Sequence, residues 1–276
     1  MKTWGLIVDT WREALAHHTL LGFVGISTLF MLVLAFSLNL DIVNGTLAAG
    51  SLFGRAFEFG NSTPAITEVV TTAQSVFAAM LYALGIFLAI FATGSHVPHL
   101  MRRGTVDLYL SRPTSRTRVL LGRFLGAVTL VTANIVYLCG GVFLIVSLKT
   151  GVWNGRFLLA GGVILVVFLS FLGFMVMVGV LSRSTPLSIM LPYALYVLAM
   201  PLAAHDHIAA AMDSRFWARV IHGIYWVLPK TAELGRDVVQ LVAGTGAPAP
   251  AAVLSTLAFG CACLGIAVFR FEKISF

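Results

Sequence analysis

The sequence predicts an all-α membrane protein with six transmembrane helices and both termini on the cytoplasmic side, and three observations predict it. Of the 276 residues, 59% are hydrophobic and only 11% charged, whereas a soluble globular domain carries about a quarter charged residues. The mean hydropathy is +0.95. Charge-free apolar windows recur at the length a bilayer requires, and lysines and arginines gather on one side of them. This composition excludes a water-exposed globule and also excludes disorder.

A helix rising 1.5 Å per residue needs about 20 apolar residues to cross a hydrocarbon core about 30 Å thick. Six windows meet that need: Thr19 to Leu40, Val69 to Ser95 with its helix beginning near Gln74, Phe124 to Leu148, Phe157 to Ser182, Ser184 to Ala204, and Ala251 to Phe269. No stretch between them is long enough for an independent soluble domain, so residues 1–276 read as a single six-span domain. The first window is expected to stay as a span, because Asp9, Arg12 and Glu13 precede it and no small-x-small cleavage site follows it.

Orientation follows from the cations. With both termini inside, Lys2, Arg12, Arg102, Arg103, Arg112, Arg116, Arg118, Arg123, Arg183, Arg270 and Lys273 lie on the cytoplasmic side, eleven against seven outside. The segment between spans two and three alone holds six arginines against one acid, Asp107. A net charge of +7 spread this thinly suits a membrane surface and not a nucleic-acid platform. Cys139, Cys261 and Cys263 all lie in apolar stretches, with neither disulfide-framework nor zinc spacing.

Two regions read as lying on the membrane. In residues 1–18, Trp4, Val8, Trp11 and Leu15 recur at helical spacing with Ile7 beside them, while Asp9, Arg12, Glu13 and His17 fall on the other side. That pattern predicts an interfacial helix anchored by tryptophans at headgroup depth. In residues 205–250, outside the membrane, Ile208, Met212, Phe216 and Val220 form one stripe and Trp217, Ile221 and Tyr225 another. After Pro229, Leu234, Val238, Leu241 and Val242 oppose Glu233, Arg236, Asp237 and Gln240. Two short re-entrant or interfacial helices are expected there, broken before the last span by Gly244, Gly246, Pro248 and Pro250.

The cationic segment, residues 96–123, carries the most information. Pro98 can open a helix, Gly104 interrupts it, Thr105 can cap a turn, Arg112-Pro113 forces an extended bend, and Ser115 is placed to cap the helix of span three. For each arginine taken singly, contact with anionic membrane lipid accounts for its place. Taken together, a proline-bracketed elbow with guanidinium groups at both ends suits docking to carboxylates of a soluble partner.

The run RRGTVDLYLSRPTSRTRVLLGRFLG resembles the cytoplasmic segment of type-2 permeases, the transmembrane subunits of ATP-binding-cassette transporters. Gly104, Thr105, Asp107, Leu108, Arg112, Pro113, Ser115, Arg116 and Gly122 occupy the matching positions, and the later run IHGIYWVLPKTAELG, Ile221 to Gly235, is similar to the region before the last span of that family. The chain departs at His96 and His99, where many relatives carry a carboxylate. The resemblance implies the permease of an exporter in the bacterial inner membrane, forming its pathway with a second permease subunit and bound beneath to separate ATPase subunits. It implies ATPase coupling through Arg102, Arg103, Thr105, Asp107, Arg112, Pro113, Ser115, Arg116 and Arg118. The sequence contains no Gly-Lys dipeptide and so no Walker A cradle; ATP and Mg are expected on the partner ATPase, with no cofactor on this chain.

Other chemistry weighs less. His96 and His99 flank Pro98 with no third ligand near, and the adjacent His205-Asp206-His207 reads as a solvated turn. Met175, Met177, Met190 and Met200 could line a copper path, as in a permease serving copper-enzyme maturation, but read first as apolar filler. Asn39, Gln74 and Asn134 can bond across helices or face a cavity. Gly122-x-x-x-Gly126, Gly161, Gly162, Gly173 and Gly179 mark close helix contacts. Pro186, Pro192 and Pro201 are expected to kink or break span five. No catalytic pair of acids, histidines, or serine and base is found mid-span, so no enzyme is expected. A mechanical module without export is one alternative, and an ion-driven secondary transporter is another, disfavoured by spans that carry no mid-depth charge.

Overall fold

The computed structural model describes residues 3–16, 18–43, 46–52, 55–58, 66–94, 115–205 and 215–273. In chain order these form α1 (Thr3–Ala16), α2 (Thr19–Ser37), β1 (Leu38–Val43), β2 (Thr46–Leu52), β3 (Arg55–Glu58), α3 (Ile66–Thr93), α4 (Arg116–Thr150), α5 (Arg156–Ser182), α6 (Thr185–Leu202), α7 (Arg215–Val227), α8 (Thr231–Ala243) and α9 (Pro250–Lys273). Helices α3, α4, α5, α6 and α9 are long and apolar enough to cross a membrane, and α1 with α2, bent by 71° between them, supplies up to a sixth crossing. Large apolar side chains on the outside of the bundle, such as Phe36, Leu148, Phe91 and Val136, are exposed. The fold is that of a multi-pass helical membrane protein.

Helix α5 is apolar on every face and accordingly sits at the centre, with Phe157, Phe168 and Phe171 fully buried. Helix α9 packs on it at backbone distance: a Cβ on Gly260 would stand 2.6 Å from the Cα of Ser170, and Gly173 faces the backbone of Gly260 from the other side. Small residues permit this approach, which in lipid replaces the hydrophobic drive that water would provide. Two hydrogen bonds fix the direction of α4. Its first turn meets the end of α9 through the Thr117 hydroxyl and the Glu272 carboxylate, and its last turn meets the end of α2 through the Lys149 ammonium and the Ala35 carbonyl.

Several expectations change. The first span ends at Ser37 rather than Leu40, and Asn39 belongs to β1, part of a three-stranded antiparallel sheet ordered β1-β2-β3 that the all-α expectation did not contain. Helix α3 begins at Ile66, eight residues before Gln74, because Glu68 sits favourably in a helix's first turn. Helix α6 runs unbroken from Thr185 to Leu202: Pro186 lies in its first turn, where no N–H is missed, Pro192 is carried inside it, and Pro201 comes one residue before its end.

Candidate functional site: the helix junction at the start of α4

Of the predicted coupling residues, Arg102, Arg103, Thr105, Asp107, Arg112 and Pro113 lie outside the described residues, as do His96 and His99. Ser115, Arg116 and Arg118 open α4. Ser115 is its N-cap, in extended backbone at φ −67° and ψ 144°, and its hydroxyl oxygen accepts from the Arg118 N–H at 3.3 Å. Arg118 is exposed and Arg116 half-buried.

The next turns of α4 are clamped to α1. A stripe at the helical spacing of Leu6, Asp9, Thr10, Glu13 and Ala14 faces α4. Leu6, Thr10 and Ala14 are fully buried. The Leu6 side chain fills the space over Gly122, where a Cβ would meet it at 2.5 Å, and the Thr10 Cβ lies 2.6 Å from the position of a Cβ on Gly126. The Gly122-x-x-x-Gly126 groove is therefore filled within the chain. Between those glycines Arg123 is buried, 4% exposed, and donates through Nη2 to Asp9 at 3.3 Å and through Nη1 to Glu13. Trp11 Nε1 donates to Thr129 Oγ1 at 3.0 Å one turn further on.

This corrects the reading of α1. The expected stripe contains Trp4 and Leu15, both exposed, while two of the expected polar-face residues, Asp9 and Glu13, point into the protein. Hydrophobic periodicity could not find this face because a buried guanidinium gives carboxylates a reason to turn inward. The available signal was an acid pair four residues apart on one helix and a lone arginine between two glycines four apart on another. Arg123 belongs to this ion cluster and is not a surface cation of the loop.

The other end of the bundle carries a helical hairpin. Asn154 Nδ2 donates to Gln74 Oε1 at 2.9 Å and to the Val242 carbonyl at 3.0 Å, which fixes the end of α8 beside the early turns of α3. The start of α8 lies deeper, where the Tyr82 hydroxyl donates to the Thr231 carbonyl. Eight helical residues separate Gln74 from Tyr82, about 12 Å of descent. Leu234, Val238 and Val242 are fully buried along the way, as their spacing predicted, and Gly244 ends α8 at φ 78°. The turn itself, Pro229, Lys230 and Thr231, is buried, and the Lys230 N–H donates to Thr256 Oγ1 of α9 at 3.1 Å.

The hairpin thus brings a second buried cation inward, in addition to Arg123 of α4. The Lys230 ammonium stands 3.6 Å from the centre of the Tyr225 ring and 4.3 Å from that of Trp226. Tyr225 donates its hydroxyl to Glu233, and His205 stacks on Tyr225 at 3.6 Å with His222 edge-on to His205. Burial lowers the Lys230 pKa below its ordinary value, and the nearby Glu233 partly offsets this. His207, Ile208 and Met212 lie outside the described residues. No group of three or more metal-ligating side chains is found among the described residues. Met175 is core, Asn134 accepts from the Ser27 hydroxyl at 3.1 Å across α2 and α4, and all three cysteines are free thiols.

A family described as a protein of unknown function, DUF2705, matches residues 30–222, well over half of the chain, from the middle of α2 into α7. No curated protein matches the chain.

Proposed function

We propose a function for this chain, which belongs to the DUF2705 family: it is the membrane subunit of an ATP-binding-cassette exporter, forming a pathway with a second permease subunit and driven by separate ATPase subunits. The observation that carries this reading is the junction at the start of α4. A force applied to the arginine segment enters a helix whose first turns are tied to α1 by Arg123, Asp9 and Glu13 and to α9 by Thr117 and Glu272. A push at one loop therefore reaches three helices, carrying α1 with α4 and bearing on the last turn of α9, the property a coupling element requires. In this arrangement both termini and the arginine segment face the cytoplasm of a bacterial inner membrane, and the hairpin of α7 and α8 faces outward.

The test is co-purification of the full chain with a Walker-motif ATPase, followed by hydrogen exchange of the complex with and without a non-hydrolysable ATP analogue. The nucleotide should change the exchange of α1 and of the start of α4, and Arg112→Glu with Arg116→Glu should abolish that change while the complex stays assembled. Absence of any ATPase partner, or an unaltered response in the variant, overturns the reading. The buried Lys230, with the half-buried Glu233 one turn on, favours a second reading, an ion-driven carrier. That reading predicts cargo movement by the purified chain under a proton or sodium gradient without ATP.

A further inference from the structure

Between α3, α6 and α8 lies a crevice of about 500 Å³, in the range of small-molecule sites. Its existence follows from side-chain size: Ala79 and Ala83 on α3 face Ala232 and Gly235 on α8, so two helices that touch at Tyr82 leave open space on either side of the ring. Gly235 sets that touch, since a Cβ there would meet the Tyr82 ring at 3.0 Å. The lining is mostly apolar, with Met200 and Val239 completing the walls.

Three polar features break this lining. Thr231 is 2% exposed, and its hydroxyl, on the crevice wall, has no hydrogen-bond partner. A buried hydroxyl left unpaired is rare in native proteins and asks for a ligand or a water. Tyr196 lines the same space, with no hydrogen bond to its hydroxyl among the described residues. At the rim Arg236 is exposed, and its neighbouring carboxylates on α8 are engaged elsewhere: Glu233 receives the Tyr225 hydroxyl, and Asp237 accepts the Ala249 N–H at 3.0 Å. No ion pair of Arg236 occurs among the described residues. A cation thus stands at the mouth of an apolar slot with two hydroxyls inside.

We propose that this crevice binds an amphiphile with an anionic head, the phosphate or carboxylate at Arg236, a polar linkage at Thr231 and Tyr196, and the chain along Ala79, Ala83 and Met200. The charge chooses the head, since a guanidinium fork matches phosphate and carboxylate oxygens. The apolar walls exclude a free anion as the natural occupant, because it would leave them wetted. The site requires only a membrane-embedded bundle and stands apart from any coupling to ATP.

The experiment is native mass spectrometry of the purified full chain in non-ionic detergent, titrated with phosphatidylglycerol, with phosphatidylcholine of the same chains, with a water-soluble alkyl phosphate, and with inorganic phosphate. Phosphatidylglycerol should bind about tenfold more tightly than phosphatidylcholine, the scale of one charge-assisted contact. Arg236→Gln should erase the difference while Arg156→Gln, another exposed cation of the same end, preserves it. Ala83→Phe should weaken both lipids, and Thr231→Val should weaken phosphatidylglycerol without unfolding the hairpin, as judged by hydrogen exchange of α8. Displacement of phosphatidylglycerol by the alkyl phosphate would identify a free amphiphile as a competent ligand. Equal binding of the two lipids, unchanged binding in Ala83→Phe, or displacement by inorganic phosphate alone would overturn the proposal. So would an Ala83→Phe variant that splits a dimer while keeping its lipid, for then a second copy covers the crevice.

Discussion

The ion cluster between α1 and α4 makes an asymmetric prediction. Arg123 is 4% exposed, whereas Asp9 is 40% and Glu13 22% exposed. Replacing Arg123 by Gln leaves two carboxylates that can turn to water, so the loss is about 1–2 kcal/mol, a charge-assisted bond discounted for exposure. Replacing both acids, Asp9→Asn with Glu13→Gln, takes two carboxylates from a buried guanidinium and costs about 3–5 kcal/mol. The difference of about 2–3 kcal/mol raises detachment of α1 by about 30- to 150-fold more in the second variant. Replacing all three by apolar residues of similar volume should recover most of that loss, because no charge is then buried. Hydrogen exchange of the α1 amides reads the opening free energy directly, and adding Arg123→Gln to Asp9→Asn with Glu13→Gln closes the cycle that isolates the coupling. Equal losses in the first two variants, or a triple variant as unstable as the sum of the others, would refute the reasoning.

Gly260→Val should cost at least about 1–3 kcal/mol by forcing α9 off α5, while Gly265→Ala, whose Cβ meets nothing within 4 Å, should be neutral or stabilising; thermal unfolding in detergent distinguishes them. Ser115→Ala should lose about 1 kcal/mol of cap energy, visible as faster exchange confined to the first turn of α4. Lys230→Met should keep the packing on Tyr225 and Trp226 and remove a charge that burial opposes. Since burial lowers the pKa of Lys230 from 10.5 in the folded state, the penalty carried by the wild type shrinks as pH rises toward that value, and its melting temperature should gain on that of the variant across the alkaline range.

What could be read in advance divides along physical lines. Span positions were legible because hydrocarbon admits apolar helices and little else: α5 at Arg156–Ser182 and α6 at Thr185–Leu202 lie within two residues of the charge-free windows. The α8 face of Leu234, Val238 and Val242 was legible by the same periodicity. The inward face of α1 was not, because its stripe mixes Leu6 and Ala14 with Asp9, Thr10 and Glu13, and only the partner helix explains the mixture. The burial of Lys230 was not legible for a related reason. The apolar windows carry no charge, yet a hairpin can bring a cation inward without placing it in such a window.

The packing divides the bundle into two groups with different grips. Helix α2 is fastened along the length of α4 by Ser27 to Asn134, Thr28 to Tyr137 at 2.9 Å, and Lys149 to the Ala35 carbonyl, and α1 is fastened to α4 by its charges. Helices α5 and α9 are locked at backbone distance, and α8 is tied to α3 and α9. Where α2 and α4 face α3, an apolar groove of about 100 Å³ remains, walled by Phe23, Phe30, Leu84 and Leu138. A tight core has few ways to deform, so relative movement concentrates where contacts are already missing. A displacement entering at Ser115 and Arg116 is therefore expected to carry α1, α2 and α4 together against α5 and the body of α9, pivoting at the Thr117–Glu272 contact. It should open or close that groove, leaving the Gly173–Gly260 crossing unchanged. Distance measurements between labels on α2 and α3 should vary with the state of the arginine segment, and those between labels on α5 and α9 should not; the opposite pattern would place the seam elsewhere.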